Sequence, residues 1–247
     1  MENITDLIII FLVPFLFGLA ALWFYKPTKK HIKFLLAFSG AFILAISSLH
    51  ILPEVFSGDE PFKVGYFLLG GFLLQLVLEF FSQGLEHGHA HHHHITKRLF
   101  PFTVFIGLCI HSLIEGLPLN QLHLYEHAHH HAHHHHADEG NTLYFGVMLH
   151  HIPIAITLVS FMLGIGLNKT IGLISLLVFT AMTPAGMLLG DVVIVNSTTL
   201  SYTQGFVVGM LLHISTTILF EASDGHKFNI AKISAVLLGF VAAYFSI

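Results

Sequence analysis

Apolar residues run along this chain in long continuous stretches with short polar breaks: 5–25, 32–53, 62–83, 99–122, 142–165, 169–190, 201–221 and 228–247. Each stretch approaches the ~20 residues with which an α-helix crosses a hydrocarbon core. The pattern therefore predicts an all-α integral membrane protein with eight transmembrane helices. A β-barrel would need alternating segments of ~10 residues, and these runs do not alternate. The first run lacks a short apolar core followed by a small-residue cleavage site, so it is expected to stay as a helix rather than be removed as a signal peptide.

Composition agrees with that pattern. Of 247 residues, 54% are hydrophobic and only 10% charged, which excludes an ordinary soluble domain and makes 1–247 a single transmembrane unit. With the N-terminus outside, the interior loops collect Lys26, Lys29, Lys30, Lys33, Lys97, Arg98, Lys169, Lys227 and Lys232, and only Lys63 falls outside. Positive charge concentrates on the cytoplasmic side of membrane proteins, so the expected topology is N-out and C-out. The net charge of −4 does not enter that rule. The single cysteine, Cys109, excludes an internal disulfide and leaves no thiolate pair for Cu(I). No GxxxxGK[ST] loop occurs, which argues against ATP-driven pumping. No cofactor and no nucleic-acid partner are expected; the lipid bilayer is.

Two histidine-rich tracts interrupt the apolar pattern. "EHGHAHHHH" at 86–94 falls in a predicted cytoplasmic loop, 85–98, and "HLYEHAHHHAHHHHADEG" at 123–140 in a predicted extracytoplasmic loop, 123–141. Both are internal, broken by Ala or Gly and accompanied by acidic residues, unlike an expression tag. Neutral imidazole binds Zn, Cu, Ni and Fe, so the expected role is metal capture, with a plain solvated linker as the alternative.

The informative residues lie inside the runs. In the fourth, His111 and Glu115 stand at i and i+4 on one helix face, about midway through the span. A charge at that depth costs on the order of 2.5–3.5 kcal/mol, so Glu115 needs a partner. A His–Glu hydrogen bond would be sufficient. The fifth run, however, puts His150 and His151 at a similar depth, two to three turns from the same side at ~1.5 Å per residue. Pro118 and Pro153 lie nearby, and each removes a backbone hydrogen bond, as in helices that line transporter sites. Imidazole and carboxylate together suit Zn²⁺ and also accept Fe²⁺ or Mn²⁺.

Other polar residues form a secondary set. His213 in the seventh run either joins the site or hydrogen-bonds a neighbour. His50 and Glu54 lie near the outer end of the second run as entrance candidates, and Glu79 and Glu221 lie near inner ends as exit candidates. Each of these, and Asp191, could equally be an interfacial charge that reaches water. Gly70, Gly71, Gly164, Gly166, Gly186 and Gly190 are expected to serve close helix packing.

These residues resemble the ZIP (Zrt- and Irt-like) metal transporter family. "HSLIEG" at 111–116 is similar to its fourth-helix signature, "HHIPIA" at 150–155 to its fifth, and "HILPE" at 50–54 to its second-helix motif. The resemblance spans essentially the whole chain. It implies eight helices in a 3+2+3 inverted-repeat bundle, frequent homodimers, and a transport site lined by His111, Ser112, Glu115, His150 and His151. Many members carry a glutamate directly after the fifth-helix proline, often followed by glycine; here Ile154 and Ala155 occupy those positions, which predicts one principal metal per bundle.

The resulting expectation is a transporter that takes up a divalent metal, Zn²⁺ foremost, into the cytoplasm across a plasma membrane such as a bacterial inner membrane, and not an enzyme. Two rivals remain at this stage. An intramembrane zinc hydrolase would use Glu115 as general base, but no HExxH motif occurs. A membrane metal sensor would bind without transporting.

Overall fold

The structure, a computed structural model, describes residues 2–24, 28–58, 60–82, 100–121, 139–221 and 230–246. Both histidine-rich tracts lie outside them, except for the end of the second, where residues 139 and 140 begin a helix. Among the described residues there is no strand. The helices are α1 (Glu2–Trp23), α2 (Lys29–Ile46), α3 (Leu52–Phe56), α4 (Pro61–Ser82), α5 (Phe100–Gly116), α6 (Glu139–Gly164), α7 (Lys169–Val193), α8 (Ser197–Glu221) and α9 (Ile230–Ser246).

Among the described residues, seven spans are long and apolar enough to cross a membrane, the signature of a membrane bundle. One of them, Lys30–Phe56, joins α2 and α3 through a π-helical turn at Ser47–Ile51. The cause lies in the sequence: Pro53 has no N–H for the carbonyl of Leu49, and the backbone widens, with Leu52 N–H reaching back to Ser47 O. The last apolar run forms α9, whose 17 residues sit at the short limit for a span.

Helix starts follow ordinary capping chemistry. Thr28 and Asn168 accept from His31 N and Ile171 N at the heads of α2 and α7. Gly166, at φ +88°, ends the α6 chain path in a left-handed turn, with Leu167 N bonded to Met162 O at 3.1 Å. Gly166 and Gly164 have no neighbour within 4 Å of a built Cβ, so the expectation of close packing fails at both. Gly166 serves the turn instead.

The helices sort into two groups. In one, α1 packs on α6 and α7, and α5 packs on α7; in the other, α4 packs on α8, and α2 packs on α9 and α8. The seam between the groups runs mainly along α2–α6 and α4–α5. The α6 span is far more buried than α1 or α4, which makes α6 the central helix. On α4, Phe62, Tyr66, Leu69 and Leu73 recur on one exposed face, as a lipid-facing helix requires.

Glycines set how near the helix axes come. A Cβ on Gly116 would lie 2.3 Å from Thr183 O, one on Gly186 2.0 Å from Leu113 O, and one on Gly190 2.0 Å from Leu117 O. The α5 and α7 backbones therefore touch. On the other side of the seam, Gly71 and Gly209 bring α4 and α8 together in the same way.

Candidate metal centre

The α5–α7 contact and the central α6 converge on a buried polar cluster. His111, Ser112 and Glu115 come from α5, His150 and His151 from α6 and Thr183 from α7; His111, Ser112, Glu115 and His150 are fully buried, with His151 at 2% and Thr183 at 1% exposure. The three imidazole centroids form a near-regular triangle of 6.1, 6.4 and 6.2 Å. His151 also meets the edge of Phe179 at 5.5 Å, so the cluster borders the apolar core that contains Phe179.

Glu115 is the hub. Its Oε2 accepts from His151 Nε2 at 2.8 Å, and its Oε1 lies 3.1 Å from His111 Nε2. One ligand atom each from His111, Glu115 and His150 fall within 4.8 Å of one another. A tetrahedral ion bonded at ~2.0–2.1 Å separates its ligands by about 3.3 Å, so the His111–Glu115 edge already has that length. Three N/O donors of this kind form a set that suits Zn²⁺ and accepts other first-row divalent ions.

Further polar side chains orient these donors. Thr183 Oγ1 lies 3.2 Å from His151 Nδ1 and 2.8 Å from Ser112 Oγ. Gln75 Oε1, from α4 across the seam, lies 3.2 Å from His111 Nδ1. Neither Gln75 nor Thr183 is among the residues the sequence pattern singles out. Their signal was present, since Gln75 is an amide in the interior of the run 62–83 and Thr183 precedes Pro184, yet neither has a partner nearby in sequence. Ser112 is tied to this cluster by its hydroxyl, which shares a hydrogen bond with Thr183 Oγ1.

The remaining sequence candidates go elsewhere. Of the two readings for His213, the structure gives the hydrogen-bonded one: its Nε2 pairs with Glu79 on α4, and its ring stands edge-on to Phe72 at 4.7 Å. Glu79 is thereby a partner of α8. His50 sits in the π turn with Nε2 buried, and Glu54 lies on α3; neither belongs to the three-donor group. Glu221 closes α8, and its side chain lies outside the described residues. Asp191 Oδ1 accepts from Asn120 Nδ2 at 2.6 Å and Gln121 Nε2 at 2.8 Å, tying the segment after α5 to the end of α7. Ile154 and Ala155, at 2% and 0% exposure, are packed into the apolar core.

Compared with known proteins, the chain matches no family model and no curated protein.

Proposed function

We propose that this protein is a divalent metal transporter of the ZIP type. In this reading eight helices cross a plasma membrane with both termini outside, and Zn²⁺, in competition with Fe²⁺ or Mn²⁺, passes to the cytoplasm through the cluster on α5 and α6. The observation that carries the reading is a carboxylate and two imidazoles with ligand atoms within 4.8 Å, all fully buried in a bundle of apolar helices. Burying such groups is costly without compensation, and intramembrane ionisable residues mark pathways for ions. His111, Glu115 and His150 would exchange for water ligands of the arriving cation. An inward-negative potential of 100 mV favours inward movement of a divalent ion by about 4.6 kcal/mol, enough to drive flux without ATP. The apolar packing of Ile154 and Ala155 supports a single cation in the site.

The test is Zn²⁺ uptake into proteoliposomes of fixed orientation by the wild type, Glu115→Gln and His111→Ala, each checked for folding. Wild-type flux that collapses in both variants is the expected result. Undiminished flux in both would move the pathway elsewhere. Wild-type binding without flux would overturn transport in favour of a sensor, and metal-dependent cleavage of lipid or peptide without flux would favour a hydrolase.

A further inference from the structure

His111 is held from two sides by groups that make opposite demands on its ring. Its Nδ1 lies 3.2 Å from Gln75 Oε1, and its Nε2 lies 3.1 Å from Glu115 Oε1. An amide oxygen only accepts, so the proton of the neutral ring belongs on Nδ1. That leaves a lone pair on Nε2, aimed at a carboxylate oxygen that also only accepts. Despite their separation, neither His111 Nε2 nor Glu115 Oε1 has a hydrogen-bond partner among the described residues. Two electron-rich atoms thus face a shared space, an arrangement that a cation between them would satisfy.

The neighbouring histidine is held the other way. His151 gives its Nε2 proton to Glu115 Oε2, and its Nδ1 accepts from Thr183 Oγ1. The two rings flanking one carboxylate thus hold opposite tautomers, His151 supporting Glu115 and His111 presenting a free lone pair.

We infer that Gln75 is a positioning residue that fixes His111 in its metal-binding tautomer. The inference rests on the metal reading above. Without the Gln75 acceptor, a neutral His111 would move its proton to Nε2 and donate to Glu115 Oε1. The pair would then be self-satisfied, and the lone pair needed for a cation would be gone. Gln75 suits this role because it is fully buried, so no water competes for Nδ1–H. It also stands on α4, in the helix group opposite to that of His111, so the bond that sets the tautomer crosses the α4–α5 seam. Partners of the non-ligating nitrogen in this manner orient metal-bound histidines generally.

The test is nitrogen-15 NMR of the histidine rings in the metal-free, full-length protein in nanodiscs, with His111 assigned by the signal lost in His111→Gln, alongside Zn²⁺ titration by calorimetry. The expected wild-type state has the proton on Nδ1 of His111. In Gln75→Met the proton moves to Nε2, and Zn²⁺ affinity falls about 10–100-fold. In Gln75→Glu, which keeps an acceptor, the proton stays on Nδ1 and the affinity stays within a few-fold of wild type. A wild-type His111 protonated on Nε2 overturns the inference whether or not Gln75→Met folds. So does a folded Gln75→Met that keeps the Nδ1 proton. If the proton moves as expected while the wild type binds no Zn²⁺, the metal reading fails and the positioning of His111 by Gln75 stands. If Zn²⁺ binds wild type and Gln75→Met equally, with no change of tautomer, the positioning role fails and the metal reading stands.

Discussion

Glu115 Oε2 on α5 accepts a hydrogen bond from His151 Nε2 on α6 at 2.8 Å, where both side chains are cut off from solvent. The bond leaves Oε1 as the atom directed at His111. Glu115→Gln keeps an oxygen for His151 but removes the negative charge a cation would meet. Zn²⁺ affinity should fall by about two orders of magnitude, roughly 2.8 kcal/mol. Titration calorimetry reads this directly. Thermal unfolding gives a second check, because Zn²⁺ at about 100 times its Kd adds ~2.7 kcal/mol to the wild type. Equal stabilisation of Glu115→Gln would place the cation elsewhere.

The site depends on two helix backbones touching, and that contact is open to a separate test. A methyl group at position 186 meets Leu113 O at 2.0 Å, and a backbone carbonyl has little room to give. Gly186→Ala should destabilise the protein by ~1–3 kcal/mol through overpacking and carry Thr183 away from His151. Gly164→Ala is the control, because nothing lies within 4 Å of its added methyl. Its effect should be neutral or slightly stabilising. Similar melting losses for the two variants would refute the claim that backbone contact of α5 with α7 shapes the site.

How far these features could be read from the sequence follows from how local their causes are. Apolar run length is local, so the seven long apolar spans were legible, as was the shared face of His111 and Glu115, which needs only the i, i+4 rule. The meeting of α5 with α6 was legible at the level of depth, because two runs of similar length put their histidines about two to three turns from the same side. Gln75 was not. Its partner is 36 residues away on another helix, and one amide in an apolar run has no periodicity to mark it. Thr183 is 71 residues from Ser112, and Glu79 is 134 from His213. Such pairs are fixed by which helices the glycines allow to touch, and that is a property of the packed bundle. The π turn at Ser47–Ile51 had a local cause in Pro53, but a proline alone does not say whether a helix kinks, ends or widens.

Away from the cluster, Glu60 supplies a pH test. Just before α4, its Oε1 bonds Lys63 Nζ at 2.5 Å and its Oε2 accepts from the hydroxyl of Tyr202 on α8. The Lys63 bond first, and the Tyr202 bond next, hold the carboxyl below its ordinary value. A carboxyl lowered on folding contributes stability above its unfolded pKa of ~4.3 and loses it as pH falls through the folded value. The wild type should therefore melt above Glu60→Gln near neutral pH, with the gap closing as the wild-type carboxyl becomes protonated. Melting curves of both proteins across the acid range decide it. A gap of constant size would mean that the ionised carboxylate contributes nothing there.

Thr183 joins two buried groups that have opposite needs, and its hydroxyl can serve both only in one direction. Glu115 as a carboxylate accepts, so His151 donates through Nε2 and, as a neutral ring, must accept at Nδ1. Thr183 is the hydroxyl within reach, at 3.2 Å, so its proton goes to His151 and its oxygen accepts from Ser112 at 2.8 Å. The order Ser112 to Thr183 to His151 to Glu115 then leaves no donor facing a donor. Thr183→Val keeps the volume and removes the hydroxyl, leaving a buried acceptor on His151 and a buried donor on Ser112. A loss of about 1–3 kcal/mol is expected for each group left unsatisfied. His151 is also freed to turn from Glu115, so Zn²⁺ affinity should fall together with stability. Thr183→Ser, which keeps the hydroxyl, should retain most of both. Paired melting and Zn²⁺ titration separate the outcomes: if Val and Ser behave alike, packing at position 183 matters and the hydroxyl chain does not orient the carboxylate.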